Sequence, residues 1–326
     1  NTEKRAAIGS LICRTAAPQR DTMNASVVKS DLLLLSTAII WGFAFVAQRL
    51  GMEYVGPFIF NGVRFALGAL VLLPFILINS YRTNRETVQA DPQETGTGIY
   101  GGIMAGIALF SGASLQQMGL VYTSAGNAGF ITGLYVVIVP LMGIFLRHKT
   151  NIGTWTGALL AAAGLYLLSV TDRFTIAYGD LLVLTGAFFW AGHVIIIGWF
   201  SPRMDSFRLA FMQYLACAVL SMLVSLMIED TTLNNLFSAS VPIFYGGVMS
   251  VGIAYTLQVI AQKGGHPAHA AILLSLEAVF AAVGGWIILD EAFTSRELLG
   301  CSLMLSGMLI SQLWGFIRIK NRLESA

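Results

Sequence analysis

The chain has 326 residues, of which 56% are hydrophobic and only 11% are Asp, Glu, Lys or Arg. Soluble proteins usually carry about 25% charged residues, so this composition excludes an ordinary soluble protein and predicts one that crosses a lipid bilayer several times. The formal net charge of +2 says little, because in membrane proteins the placement of Lys and Arg matters more than their sum. The three cysteines lack CxxC spacing, which predicts neither a disulfide framework nor a metal site.

Ten apolar windows follow one another along the chain, and a helix over such a window is about long enough to cross a hydrocarbon core of about 30 Å. Most connections between them are short, as expected for antiparallel neighbouring helices. Pro140 lies inside the fourth window and should kink that helix. The predicted fold class is therefore an all-α integral membrane protein with ten transmembrane helices. The windows cover residues 31–50, 57–78, 98–120, 124–146, 152–170, 178–200, 206–228, 240–262, 268–289 and 296–316.

The distribution of Lys and Arg predicts the orientation of these helices. If the N-terminus lies inside, 15 of the 19 Lys and Arg residues fall on the inner side, and only Arg49, Arg173 and Arg296 fall on the outer side. Cytoplasmic loops of membrane proteins carry such an excess of basic residues. We therefore expect a multi-pass protein of the plasma (inner) membrane of a bacterium, with both termini in the cytoplasm.

The two halves of the chain repeat each other. Trp41 and Trp190 are separated by 149 positions, and the same offset carries Arg64 onto Gln213. Further along the chain, Gln116 corresponds to Gln258 at an offset of 142. Five helices in each half is an odd number, so the second half must be inverted relative to the first. Inverted repeats are typical of secondary transporters, whose substrate site lies near the membrane midplane where the repeats meet.

The repeat predicts the organisation of the chain. Residues 31–170 form the first repeat and residues 178–316 form the second repeat. Residues 1–30 are expected to be a disordered N-terminal extension, within which Met23 is the expected physiological start, and residues 317–326 are expected to be a cytoplasmic tail.

Glu277 is the first candidate for a functional residue. It is the only Asp, Glu, Lys or Arg in the window 268–289. A carboxylate near the bilayer centre costs roughly 2.5–3.5 kcal/mol on insertion scales, so it normally faces the interior of a helix bundle. Two interpretations stay open. Glu277 either contacts substrate or a coupling ion, or it is a structural residue hydrogen-bonded in a crowded core.

The other candidates for substrate binding or coupling are polar or aromatic residues that lie within the windows. For Arg64 the alternatives are an anion contact and a side chain that extends towards the outer surface. For the amides the alternative role is hydrogen bonding between helices, and for the aromatic residues and the histidine it is packing. These candidates are Arg64, Trp41, Trp190, Gln116, Gln213, Gln258, Tyr135, Tyr255 and His193.

Several segments resemble the drug/metabolite transporter superfamily in its EamA-type branch. They include WGFAFVAQRLG, VRFALGALVLLP and, most specifically, SLEAVFAAVGGWIILDE in the ninth window. The resemblance covers roughly residues 31–316 and implies ten helices in two five-helix repeats, alternating access and efflux of small metabolites. The family often carries an acidic residue at the end of the fourth and ninth helices. Here the ninth window ends in Asp290-Glu291, whereas the fourth ends in Arg147-His148-Lys149.

The predicted function is secondary transport of a small organic metabolite by alternating access. An amino acid-like or amine-like compound fits the candidate residues, with a proton as the candidate coupling ion. The alternatives are a lipid-carrier flippase subunit and an intramembrane enzyme, but no HExxH, GxGD or P-loop motif supports an enzyme. We expect no catalytic residue, no metal, no cofactor and no nucleic-acid partner. The expected partners are the lipid bilayer and a small-molecule substrate, and the chain is expected to act as a monomer or homodimer.

Overall fold

A computed structural model describes residues 17–84, 92–143, 152–169, 176–200, 204–262 and 273–324. Within these ranges the chain is almost entirely helical and forms no strand, which confirms the all-α fold class. The helices are α1 (Ala17–Gly51), α2 (Pro57–Asn84), α3 (Pro92–Gly119), α4 (Ala125–Gly133), α5 (Tyr135–Met142), α6 (Ile152–Ser169), α7 (Tyr178–Phe200), α8 (Ser206–Ile228), α9 (Leu233–Ser238), α10 (Ser240–Phe244), the π segment (Tyr245–Ala254), α11 (Tyr255–Gln262), α12 (Glu277–Leu289) and α13 (Ser295–Glu324).

Eight helical stretches of the described chain are long and apolar enough to cross a membrane, and they correspond to the first eight windows. The ninth window contains a shorter apolar helix, Leu273–Leu289, and the tenth lies within α13. The protein is therefore a multi-pass membrane protein, and the total of ten membrane-spanning helices stays a prediction.

The start of α1 differs from the prediction. Residues 17–30 were expected to belong to a disordered extension, but α1 begins at Ala17; residues 1–16 lie outside the described ranges. Once a helix has nucleated, each added residue gains one backbone hydrogen bond for the fixing of a single residue, which is far less unfavourable than starting a new helix. The apolar window therefore extends as a helix through the polar residues that precede it.

Helices α6 and α13 approach each other through paired glycines. A Cβ atom built on Gly157 would lie 2.5 Å from the carbonyl oxygen of Gly307, and one built on Gly164 would lie 2.5 Å from that of Gly300. The repeat, at an offset of 143, exchanges Gly157 with Gly300 and Gly164 with Gly307, so it converts one contact into the other. Glycines thus let these two helices pack closely, and the symmetry of the contact agrees with an inverted repeat.

Two helix breaks also follow the repeat. The backbone N–H of Leu134 donates to the carbonyl of Ile131 at 3.2 Å, and that of Leu276 donates to the carbonyl of Leu273 at 3.2 Å. Both donors and both acceptors are separated by 142 positions. Pro140 lies six residues beyond the first break, inside α5, and Ala282 occupies its equivalent position in the second half. Proline therefore does not explain a break that occurs in both halves.

The two halves differ in the helix that follows α10. Residues Tyr245–Ala254 form a π segment, whereas the equivalent stretch of the first half lies within the continuous α3. Side chains of α1 reach carbonyls of the π segment: Trp41 Nε1 donates to Ser250 at 3.3 Å, and Thr37 Oγ1, whose nearer acceptor is the Leu33 carbonyl at 2.9 Å, lies 3.3 Å from that of Ala254. These side-chain donors stabilise a helical form that is rare and often found at functional sites.

Two carboxylates of the second half cap helices of the first half. Glu229 accepts hydrogen bonds from the backbone N–H groups of Phe58 (2.9 Å) and Ile59 (2.8 Å) at the start of α2. Glu291 accepts from those of Ala125 (2.7 Å) and Gly126 (3.1 Å) at the start of α4. Free N–H groups and the helix dipole both favour a negative charge there. The acidic position at the end of the ninth window is thus a helix cap.

Candidate functional site

Glu277 lies at the centre of the helix packing. It is the first residue of α12, directly after the break at Leu276, and it is only 4% exposed. Helix α12 packs against both α1 and α4. A Cβ built on Gly42 of α1 would lie 2.9 Å from the carbonyl oxygen of Glu277, and one built on Gly129 of α4 would lie 2.4 Å from Ala281 Cβ. Small residues therefore let three helices converge around this carboxylate.

Tyr135 is the repeat equivalent of Glu277, at the offset of 142. It is the first residue of α5, directly after the break at Leu134. Glu277 lies within electrostatic range of Tyr135 and also of Tyr255. Two equivalent residues that lie within electrostatic range of each other must both lie near the pseudo-twofold axis that relates the halves. Both members of the pair were predicted as site residues, but their pairing was not predicted.

Aromatic rings connect this region to Arg64. The ring centroids of Trp41 and Tyr255 are 4.7 Å apart, and those of Tyr255 and Tyr214 are 5.7 Å apart. Tyr214 lies 6.2 Å from Phe65, and the guanidinium carbon of Arg64 lies 4.8 Å from the centre of the Phe65 ring. The structure therefore groups Glu277, Tyr135, Tyr255, Trp41 and Arg64 in one continuous region, which we call the axial cluster.

The guanidinium of Arg64 does not extend to the surface. The residue is 4% exposed, and its Nε donates to Asn61 Oδ1 at 2.9 Å. A second ring, that of Phe60, lies 5.7 Å from the guanidinium carbon. The alternative of a side chain that reaches the outer surface is therefore wrong, because an amide and two aromatic faces hold the cation inside the protein.

A second group of candidates surrounds Gln116. Its Oε1 accepts from Trp190 Nε1 at 3.0 Å and from Thr132 Oγ1 at 3.3 Å, and its Nε2 donates to Gln48 Oε1 at 3.0 Å. Gln117 Nε2 donates to the backbone carbonyl of Gln48 at 3.1 Å. This amide cluster joins α1, α3, α4 and α7. Sequence reasoning identified Gln116 and Trp190 but missed Gln48, Gln117 and Thr132, although both missed amides lie within apolar windows.

His193 and Gln213 form a separate buried pair. His193 Nε2 lies 2.6 Å from Gln213 Oε1, and because this oxygen can only accept, the ring nitrogen must be the donor. The His193 ring also meets the Trp190 ring edge-on at a centroid distance of 5.9 Å, which links the pair to the amide cluster. Gln258 is half-buried on α11, and the contacts of the described residues do not join it to these groups.

Asp180 is a buried carboxylate that sequence reasoning missed. It lies in the first turn of α7, is 1% exposed and accepts a hydrogen bond from Thr123 Oγ1. Asp31 precedes it by 149 positions, and both residues are followed by Leu-Leu, so the repeat itself contained the information needed to find it. Its position in the first turn of α7 and its hydrogen bond with Thr123 indicate that it joins α7 to the turn after α3.

Comparison with known proteins identifies one family. The profile described as "EamA-like transporter family" matches residues 28–170 and 177–313. An uncharacterized transporter from Archaeoglobus fulgidus is 32% identical over 286 residues, which is 87% of this chain and 86% of the relative. The uncharacterized transporter YoaV from Bacillus subtilis is 21% identical over 87% of this chain and 97% of its own length.

Two further similarities are more distant. The WAT1-related protein At3g02690, chloroplastic, from Arabidopsis thaliana is 23% identical over 84% of this chain and 67% of its own length. A solved structure described as "Crystal structure of protein" has a TM-score of 0.61 and 21% identity, and the match covers 87% of this chain and 96% of that one. At this identity the solved structure supports the fold alone.

Proposed function

Since the chain belongs to the EamA-like transporter family and crosses the membrane several times, we propose that it exports a small organic metabolite by alternating access. In this proposal the two repeats exchange conformations around a fixed site. The site is the axial cluster, and Glu277 carries the coupling proton.

The observation that carries the proposal is the position of Glu277 opposite Tyr135. When two inverted repeats exchange conformations, a group far from their axis moves between two different environments. A group near the axis contacts both repeats in either conformation. Glu277 is also buried, so its ionised form is costly unless a proton or a cationic partner neutralises it. A carboxylate in this position can couple its protonation to the side on which the site opens.

The chemistry of the axial cluster supports a substrate with few charges. Among the side chains whose burial the structure describes, Arg64 is the only buried Lys or Arg. A multiply charged anion such as a sugar phosphate would require several basic partners. The cluster offers one cation, one carboxyl group and the rings of Trp41 and Tyr255. An amino acid-like zwitterion or an amine would find a partner for each of its polar groups here.

The test is transport by the purified full-length chain in proteoliposomes with an imposed proton gradient. A panel of labelled amino acids and small amines identifies a substrate that the wild type accumulates. Glu277→Gln keeps the shape and hydrogen-bonding capacity but holds the neutral form. We expect this variant to exchange substrate across the membrane at equilibrium and to lose both accumulation and the pH dependence of flux. Among the described residues, the titratable side chains within electrostatic range of Glu277 are those of Tyr135 and Tyr255, and both are retained.

The matched control is Glu53→Gln, which removes an exposed carboxylate from the turn after α1 and should transport normally. Accumulation by Glu277→Gln equal to that of the wild type would remove Glu277 from the coupling mechanism. If the chain alone moved none of the water-soluble compounds, the result would instead favour a flippase subunit that requires a partner.

A further inference from the structure

Helix α2 presents two buried hydrogen-bond donors side by side. Asn61 is fully buried and Arg64 is 4% exposed. Because Arg64 Nε donates to Asn61 Oδ1 at 2.9 Å, the amide nitrogen of Asn61 points elsewhere. This nitrogen is buried and has no hydrogen-bond partner in the described part of the chain. An unpaired buried donor of this kind costs about 1–3 kcal/mol.

The Arg64 guanidinium has neighbours but no counter-ion among the described residues. Its titratable neighbours are Tyr255 and Cys217, and its remaining contacts are Asn61 and two phenylalanine rings. A cation–π interaction contributes about 2 kcal/mol at a desolvated site, whereas burying a cation costs several kcal/mol. The described contacts therefore leave this cation incompletely neutralised.

The repeat provides an internal comparison. The position equivalent to Arg64 in the second half is Gln213, and its side-chain oxygen is paired with His193 Nε2 at 2.6 Å. In the second half the polar group thus has a partner from the protein itself. In the first half the corresponding guanidinium is hydrogen-bonded through its Nε only to the neighbouring Asn61, whose amide nitrogen has no partner in the described part of the chain. Gly246 of the π segment lies beside Arg64, and a Cβ there would be 3.3 Å from Arg64 Cδ.

We propose that Arg64 and the amide nitrogen of Asn61 form a binding site for one monovalent anionic group. The free N–H groups of a guanidinium and of a neighbouring amide NH₂ are the kind of donors that suit the two oxygens of a carboxylate. This inference rests on the proposed transport function, because it assigns the site to the carboxylate of the transported molecule. A free inorganic anion such as chloride has the same charge, and the experiment separates the two sources.

The test uses the full-length chain purified in detergent, in a chloride-free buffer whose ionic strength is held constant with sodium sulfate. We expect sodium acetate to raise the melting temperature in a saturable way, because a ligand of the folded state stabilises it. Arg64→Gln should weaken acetate binding by roughly tenfold or more, since a charged hydrogen bond is lost. Arg49→Gln makes the same change on the last turn of α1 and should leave acetate binding unchanged.

A second variant keeps the proposal testable if Arg64→Gln fails to fold. Asn61→Asp supplies a carboxylate from the protein itself, so it should raise the melting temperature without ligand and abolish the acetate response.

A response to acetate alone supports the substrate carboxylate, and an equal response to sodium chloride supports a free anion at the same site. Absence of a saturable response to either, or a normal acetate response in Asn61→Asp, would overturn the proposal. The acetate response is measured in detergent without a proton gradient, so failure of this proposal is distinguishable from failure of proton coupling.

Discussion

Carboxylates occur in two contrasting environments in this protein. Glu229 and Glu291 each accept two backbone N–H groups at the start of a helix in the other half of the chain. Glu277 lies near the repeat axis, and among the described residues Tyr135 and Tyr255 are the titratable groups within electrostatic range of it. Glu229 and Glu291 are therefore structural charges, whereas the group that neutralises Glu277 is expected to bind and dissociate.

The capping carboxylates Glu229 and Glu291 are closely packed as well as hydrogen-bonded. Each carboxylate lies against a glycine: a Cβ on Gly56 would be 2.3 Å from Glu229 Oε1, and one on Gly285 would be 2.2 Å from Glu291 Oε2. If the spans alternate in direction, both caps lie on the face predicted to be outer. Each cap therefore joins the second half of the chain to the start of a helix in the first half.

The largest effect on stability is expected when both caps are removed. Loss of a helix cap typically costs about 1–2 kcal/mol, and the two caps lie on different helices, so their costs should add. The double variant Glu229→Ala/Glu291→Ala is expected to lower the free energy of unfolding by about 2–4 kcal/mol. Its melting temperature in detergent, compared with that of Glu53→Ala, measures this loss. A double variant as stable as the control would show that the caps do not hold the halves together.

A smaller effect is expected from a glycine substitution that displaces one cap. Alanine at position 285 would occupy the place of Glu291 Oε2, so Gly285→Ala should break the bonds of Glu291 to α4. Alanine favours a helix by about 1 kcal/mol over glycine, which partly offsets that loss. Gly192→Ala in α7 is the matched control, because a Cβ there would meet nothing within 4 Å.

We expect Gly192→Ala to raise the melting temperature slightly and Gly285→Ala to lower it. A gain in both variants would mean that Glu291 finds other partners without loss of stability.

The sequence predicted the spans and the class of fold well, for a physical reason. In a bilayer every backbone polar group must be paired within the protein, so long apolar windows have few alternatives to helix. The helix breaks at Leu134 and Leu276 were not predicted, because the second break has no glycine or proline and Gly133, beside the first, is one of many glycines within the apolar windows. The helix caps were also missed. Glu229 and Phe58 are 171 positions apart, and no local pattern reports such a pairing.

In the candidate site, the sequence predicted the isolated charged residues best. Glu277 and Arg64 are conspicuous because a charge within an apolar window needs an explanation. Their contacts were less accessible, since a buried and a surface-reaching Arg64 have the same sequence. The amide cluster around Gln116 was found only in part, because Gln48 and Gln117 were not considered within their windows. The repeat alignment could have revealed the Tyr135–Glu277 pair and Asp180.

The smallest effect on stability, and the most direct test of the contrast, comes from one substitution at two carboxylates. Glu291→Gln retains one acceptor oxygen but loses the charge, so it should lower the stability by about 1 kcal/mol. Glu277→Gln removes a buried charge and keeps the shape of the side chain. Because an unpaired buried carboxylate is costly in its ionised form, the melting temperature should stay unchanged or rise. Transport should show the opposite order, with Glu291→Gln still accumulating substrate and Glu277→Gln failing to do so. If Glu277→Gln lost as much stability as Glu291→Gln, Glu277 would have to be counted among the structural carboxylates, and the proposed coupling site would lose its physical basis.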